Sequence, residues 1–126
     1  MRNLRLVMAQ INTTVGDLDG NTAKILNCID EAKRFQADLI AFPEMAITGY
    51  PPEDLLLRPS FLSSNIDKML EVASNSKDIT VIVGFVDQEA SIYNAAAVAH
   101  NGKLIGKYHK IHLPIDETSR PLSHSQ

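Results

Sequence analysis

In the stretch AFPEMAITGY an apolar run ends on a carboxylate: Glu44 follows Leu39, Ile40, Ala41 and Phe42 with only Pro43 between. Burial makes a lone carboxylate expensive, so Glu44 has to be neutralised, paired or put to use. A candidate partner is Lys110, set in a second patterned stretch, KYHKIHLP. Burial raises a carboxylate's pKa into a range suited to proton transfer. A nearby ammonium opposes that rise and offers positive charge to a developing anion. Each residue also has a plainer reading. Glu44 alone is by default a carboxylate satisfying loop N–H groups, and Lys110 a surface lysine whose stem lies along a strand. Cys28, the only cysteine, reads as a small core hydrophobe.

Other polar residues read as structural. His109 and His112 orient backbone or loops, and Asn94 ties down its strand. Four histidines with no second cysteine and no close ligand spacing argue against a structural metal site. Gly16 and Gly20 lack the spacing of a phosphate-binding loop.

The elements that must position Glu44 and Lys110 follow from periodicity. Residues 4–11 are apolar nearly throughout and read as a mostly buried strand. Residues 13–20 are rich in turn formers, and Asn21 is placed to cap a helix with Ile25, Ile29, Ala32 and Gln36 on one face. Residues 39–42 form the next strand, giving a β-α-β unit whose strands are expected to be parallel. Gly49-Tyr50-Pro51-Pro52 stops regular structure, and Glu53-Asp54 suit the first turn of a short helix. A second helical pattern covers 61–73, and 79–86 is the clearest buried strand. Strands at 93–99 and 103–108 flank Asn101-Gly102, the strongest hairpin signal in the chain. The class is α/β with a mixed sheet and helices on one face. The other face then needs a cover from further sequence or another chain, so a homo-oligomer is expected.

At 126 residues, 44% hydrophobic and 21% charged, the chain fits one soluble globular domain or part of a larger one. A net charge of -3 offers no footprint for nucleic acid or an anionic membrane. The N-terminus reads as neither a signal peptide nor a membrane span. One cysteine permits no internal disulfide, which favours an intracellular, cytoplasmic setting.

Four stretches, LRLVMAQINTTVGDLDGNTAKIL, FPEMAITGYPPEDLLLRPSFL, VIVGFVD and YNAAAVAHNGKLIGKYHKIHLP, occur in the order in which the carbon-nitrogen hydrolase (nitrilase) superfamily carries similar motifs. Within it, TGYPPEDLLLRP and KYHKIHLP most resemble the N-terminal glutaminase domains of glutamine-dependent NAD synthetases. The resemblance implies a partial αββα sandwich over 1–114, followed by a divergent, flexible tail over 115–126. It makes Glu44 the general base that takes a thiol proton, Lys110 the stabiliser of the oxyanion, and Glu117 a remnant of the family's second Glu and a substrate contact. Tyr50, with Pro51 and Pro52, reads as shaping the loop at the mouth of the site and as a candidate substrate contact. The family's nucleophilic cysteine lies beyond the lysine, on a strand-to-helix turn. No cysteine follows Lys110, so the nucleophile is expected to be absent and the chain inactive alone. The resemblance implies glutamine as the amide in an intact parent and no metal or other cofactor for this domain. ATP belongs to a separate synthetase (ligase) domain. Two other readings stay open: a non-catalytic binding or assembly remnant, and an amidase or nitrilase for another small amide.

Overall fold

The computed structural model describes residues 3–113, so the domain limit at Pro114, the 115–126 tail and Glu117 lie outside the described residues. In chain order the elements are β1 (Leu6–Met8), α1 (Leu18–Arg34), β2 (Leu39–Ala41), a short 3₁₀ helix (Glu53–Leu57), α2 (Pro59–Ser74), β3 (Thr80–Gln88), β4 (Ile92–His100) and β5 (Lys103–Leu113). The strands form one sheet in sequence order. β1, β2 and β3 run parallel, while β4 and β5 each pair antiparallel to the strand before. This is the α/β mixed sheet expected from the sequence.

Three boundaries differ clearly from expectation. β5 runs past Tyr108 to Leu113, and so includes Lys110, because β4 still pairs with it as far as Ile92 opposite Leu113. β1 is shorter than 4–11 because its partner among the described residues is the brief β2. Ala9 N–H still reaches Ala41 O at 2.9 Å before the chain leaves the edge. α1 starts earlier than Asn21, because Asp17 is the cap: its carboxylate accepts the Gly20 N–H at 2.9 Å. Asn21 is instead wholly buried within the helix. Its side chain accepts from Thr14 N–H at 2.8 Å and donates to Thr14 O at 2.9 Å and Ile47 O at 3.0 Å. It thereby ties the loop before α1 to the segment that follows Glu44.

Both helices pack on one face of the sheet. Ile25 and Ile29 of α1, Met69 and Val72 of α2, and Val81, Val83 and Phe85 of β3 make one continuous core. Strand alternation sends the intervening residues to the other face. There Met8, Ala41, Ile82 and Val98 form a row in register across the strands. Among the described residues only one end of this second face is covered, by the segment after β2: Met45 and Leu56 pack with Val86 and Leu62. Elsewhere Leu6, Met8, Ile105, Tyr108 and Ile111 stand exposed. Among the described residues, no helix is long and apolar enough to cross a membrane.

Candidate active site

Beyond β2 the chain stays beside the edge of β3 without continuing the ladder. Phe42 N–H binds Ile82 O at 2.9 Å and Ile47 N–H binds Gly84 O at 3.2 Å. Between these two bonds the backbone passes directly over Gly84. A Cβ there would come within 2.5 Å of both Pro43 O and Met45 N, so the crossing requires glycine. Farther along the edge, the buried Asn65 of α2 takes the place of a neighbouring strand. Its amide accepts the Val86 N–H at 3.1 Å and donates to Val86 O at 2.6 Å. Glu44 thus sits on the crossing itself, on the face away from the helices.

Two groups meet its carboxylate. Lys110 Nζ lies 3.1 Å from Oε2, and Asn94 Nδ2 donates to Oε1 at 3.2 Å. Lys110 reaches it from a β-bulge: Asn94 stands opposite Ile111 and Ala95 opposite His109, leaving Lys110 as the extra residue. Both side chains are about half exposed, Lys110 at 44% and Glu44 at 49%. This corrects the expectation of a buried carboxylate with a raised pKa. The apolar run ends before Glu44, which lies at a loop crossing. The hydrogen bond from Lys110, then that from Asn94, holds the Glu44 carboxyl below its ordinary value despite some desolvation.

A cleft of about 320 Å³ opens beside the pair, lined among others by Glu44, Tyr50, Pro52, Leu56, Asn94 and Ile111. Tyr50, 68% exposed, is part of this lining. Glu44, Lys110 and Tyr50 are therefore gathered at one place, whereas Glu117 lies outside the described residues. A larger hollow of about 660 Å³, lined by Lys33, Asp38 and Lys77, lies where β2 and β3 begin, away from Glu44 at the opposite end of β2.

Cys28 is not in this cleft. It belongs to α1 and packs against the core on the helix side of the sheet, while Glu44 is on the other side. Burial, and then the nearby Glu31 charge, pushes its thiol pKa up, so it is protonated at neutral pH.

Asn94 is the residue whose part the sequence reading missed. It is 3% exposed and, besides tying its strand, holds Glu44; its Oδ1 has no hydrogen-bond partner among the described residues. The available signal was the alternation of YNAAAVA, which puts Asn94 on the same face as Gly84, where the loop must cross.

On the helix-side face of the same strands lies a second polar group. The buried Asp87 carboxylate is 2.8 Å from His109 Nε2 and 3.0 Å from Lys107 Nζ, with Glu89 3.6 Å from Lys107. Burial alone would raise the Asp87 pKa; the hydrogen bonds from His109 and Lys107 outweigh it and hold the carboxyl below its usual value. Asp87, Glu89 and His109 bring oxygen and nitrogen atoms within 4.8 Å of one another. The Lys107 ammonium already supplies a positive charge there.

Comparison with known proteins extends these observations. The profile of the carbon-nitrogen hydrolases matches residues 5–125. The glutamine-dependent NAD(+) synthetase of Thermotoga maritima is 43% identical over 116 residues, covering 90% of this chain and 20% of that protein. That of Aquifex aeolicus is 46% identical over 114 residues, again covering 20% of the longer protein. The chain thus spans about a fifth of the length of the curated relatives it matches. Among solved structures, the glutamine-dependent NAD(+) synthetase of Cytophaga hutchinsonii superposes with a TM-score of 0.82 at 32% identity, covering 90% of this chain and 20% of that one. An amidase from Nesterenkonia sp. shares the fold at a TM-score of 0.75 and 19% identity, over 90% of this chain and 45% of the amidase.

Proposed function

The chain belongs to the carbon-nitrogen hydrolase family, and from that premise we propose that Glu44 and Lys110 are the base and the anion-stabilising cation of a glutamine-hydrolysing site that supplies ammonia to NAD synthesis. The observation that carries this reading is the pairing itself. Lys110 Nζ lies 3.1 Å from one Glu44 oxygen and Asn94 Nδ2 3.2 Å from the other, beside a cleft of about 320 Å³.

Glu44 accepts the proton of a cysteine thiol, and the thiolate attacks the carboxamide carbon to form a carbon-sulfur bond. Negative charge moves to the carbonyl oxygen, where the Lys110 ammonium stabilises it. Glu44 returns the proton to the departing nitrogen, the carbon-nitrogen bond breaks, and ammonia leaves behind a thioester that water hydrolyses. Bound substrate excludes water and strengthens the ionic interactions. Tyr50 and Pro52, which line the cleft, contact the substrate. The thiol is not Cys28, the only cysteine in the sequence, because α1 lies across the sheet from Glu44. It has to be supplied in addition to these residues, and residues 1–126 alone do not hydrolyse glutamine. This chemistry uses no metal or organic cofactor; ATP-dependent ligation belongs to another domain, and the setting is cytoplasmic.

A segment exchange tests the assignment. The matching segment of the Thermotoga maritima relative is replaced by this chain's sequence, and ammonia release from glutamine is measured. The exchanged protein is expected to be active and its Glu44→Gln variant inactive. Retained activity in Glu44→Gln overturns the role of Glu44. Ammonia release by this chain alone that Cys28→Ser abolishes overturns the exclusion of Cys28.

The open sheet face supports a second element of the proposal. Leu6, Met8, Ile105, Tyr108 and Ile111 form too much exposed apolar surface for a lone domain, and the chain pairs with a second copy through it.

A further inference from the structure

Lys110 is the extra residue of a bulge, so no residue of β4 stands opposite to hold it. Its place depends on the residues on either side. His109, immediately before it, turns to the helix-side face, where its Nε2 lies 2.8 Å from the buried Asp87 carboxylate. The His109 ring also stacks on Tyr93, with centroids 3.9 Å apart and planes inclined by 6°. Two residues after Lys110, the His112 ring meets Tyr93 edge-on at 5.5 Å. Tyr93 therefore grips the bulge on both sides. Its neighbour in β4, Asn94, points to the other face and holds the opposite oxygen of Glu44. Both members of the pair are thus referenced to one dipeptide of a central strand.

We propose that His109, held between Asp87 and Tyr93, is a positioning residue that fixes the bulge at Lys110 and so sets the pairing of Lys110 with Glu44. The ionised Asp87 accepts the Nε2–H, which also fixes the tautomer of His109. Without this latch, β5 can slide the extra residue along the strand, as bulged ladders permit, and Lys110 leaves Glu44. The catalytic meaning of the latch rests on the glutaminase reading above; the positional claim does not.

The titration of Glu44 in the intact 126-residue chain reads the pairing directly, because Lys110 is the main cause of its lowered pKa. The side-chain carboxyl is followed by carbon-13 NMR against pH in the parent, Lys110→Met, His109→Ala, His109→Phe and His109→Gln. Lys110→Met is expected to move the Glu44 midpoint upward. His109→Ala is expected to produce most of that shift while amide signals of α1 and α2 stay in place. His109→Phe keeps a ring on Tyr93 but loses the Asp87 bond, so it is expected to shift Glu44 part of the way. His109→Gln, whose amide can still donate to Asp87, is expected to restore part of the parent value. A parental midpoint in both His109→Ala and His109→Phe, with Lys110→Met shifted, overturns the latch and leaves the pair standing. No shift in Lys110→Met means that the pair does not form in solution, which overturns the functional reading as well.

Discussion

On the helix side of the sheet Val81, Val83 and Phe85 are at most 2% exposed, sealed under α1 and α2. On the other side Leu6 and Met8 stand 62% and 76% exposed, and Glu44 and Lys110 meet at the margin of the same face. The same strands build both. Strand alternation sends each residue and its neighbour to opposite faces, so Tyr93 serves the helix-side Asp87–His109 group while Asn94 holds Glu44. One face stores stability that its own helices complete. The other carries the candidate chemistry and is left for a further layer. Substitutions can therefore be sorted by face before any other consideration.

The largest effect is expected on the sealed face. Phe85 is wholly buried in the main core, and truncating such a ring leaves a cavity that the packed helices cannot fill. Phe85→Ala is expected to lose about 3–5 kcal/mol of stability, enough to unfold much of the population of a small domain. Urea melts followed by circular dichroism measure it. A loss no larger than that of an open-face truncation would erase the contrast between the faces.

The second effect is catalytic and belongs to the open face. In the segment-exchanged relative, Lys110→Ala is expected to lower turnover roughly a hundredfold or more, because in the proposed mechanism the ammonium meets a charge present only near the transition state. The Michaelis constant should change far less. Near-normal turnover with a raised Michaelis constant would assign Lys110 to ground-state binding.

How much of this contrast was legible in the sequence depended on the range of the cause. The hairpin was legible because its signal is local: Asn101 and Gly102 both take positive φ, 52° and 81°, as a tight two-residue turn demands. Buried β3 was legible from its unbroken apolar run. The start of α1 was not, because Asp17 and Asn21 are both capping types, and only tertiary contacts to Thr14 and Ile47 show that Asn21 is needed elsewhere. The pairing of Glu44 with Lys110 was legible from their contexts although they lie 66 residues apart. Their electrostatics were not, because the burial of Glu44 depends on how the loop crosses Gly84. The bulge at Lys110 was hidden for a similar reason. It exists only in the register of β5 against β4, which no stretch of β5 encodes alone.

A smaller effect distinguishes the two carboxylates by pH. Asp87 and Glu44 both have pKa values lowered from ordinary ones of 3.8 and 4.5 in the folded chain. Below those ordinary values the unfolded chain binds more protons than the folded one, so stability falls as pH falls through each folded pKa. The contribution is fully present well above pH 4.5. Buried Asp87, hydrogen-bonded to both His109 and Lys107, is expected to account for more of the acid loss than half-exposed Glu44. Asp87→Asn should therefore flatten the dependence of melting temperature on pH between about 5 and 2 more than Glu44→Gln does. The reverse order would show that the cleft, and not the helix-side group, dominates the acid response.

The smallest expected change in intrinsic stability is at Met8, and it tests what covers the open face. Met8 is 76% exposed in β1, so a single chain loses almost no burial when it is replaced. Met8→Lys is expected to alter the unfolding free energy of the monomer by no more than about 0.5 kcal/mol, the range of ordinary surface substitutions. Between two copies paired through this face the same change places an ammonium among Leu6, Ala41 and the facing residues of the second copy, where desolvation is costly. Light scattering at micromolar concentration is therefore expected to show a dimer or larger assembly for the parent chain and a shift toward monomer for Met8→Lys. A parent chain that is monomeric and unfolds cooperatively removes the pairing proposal. An assembly that Met8→Lys leaves intact places the interface elsewhere, and the open face loses its claim to a second copy.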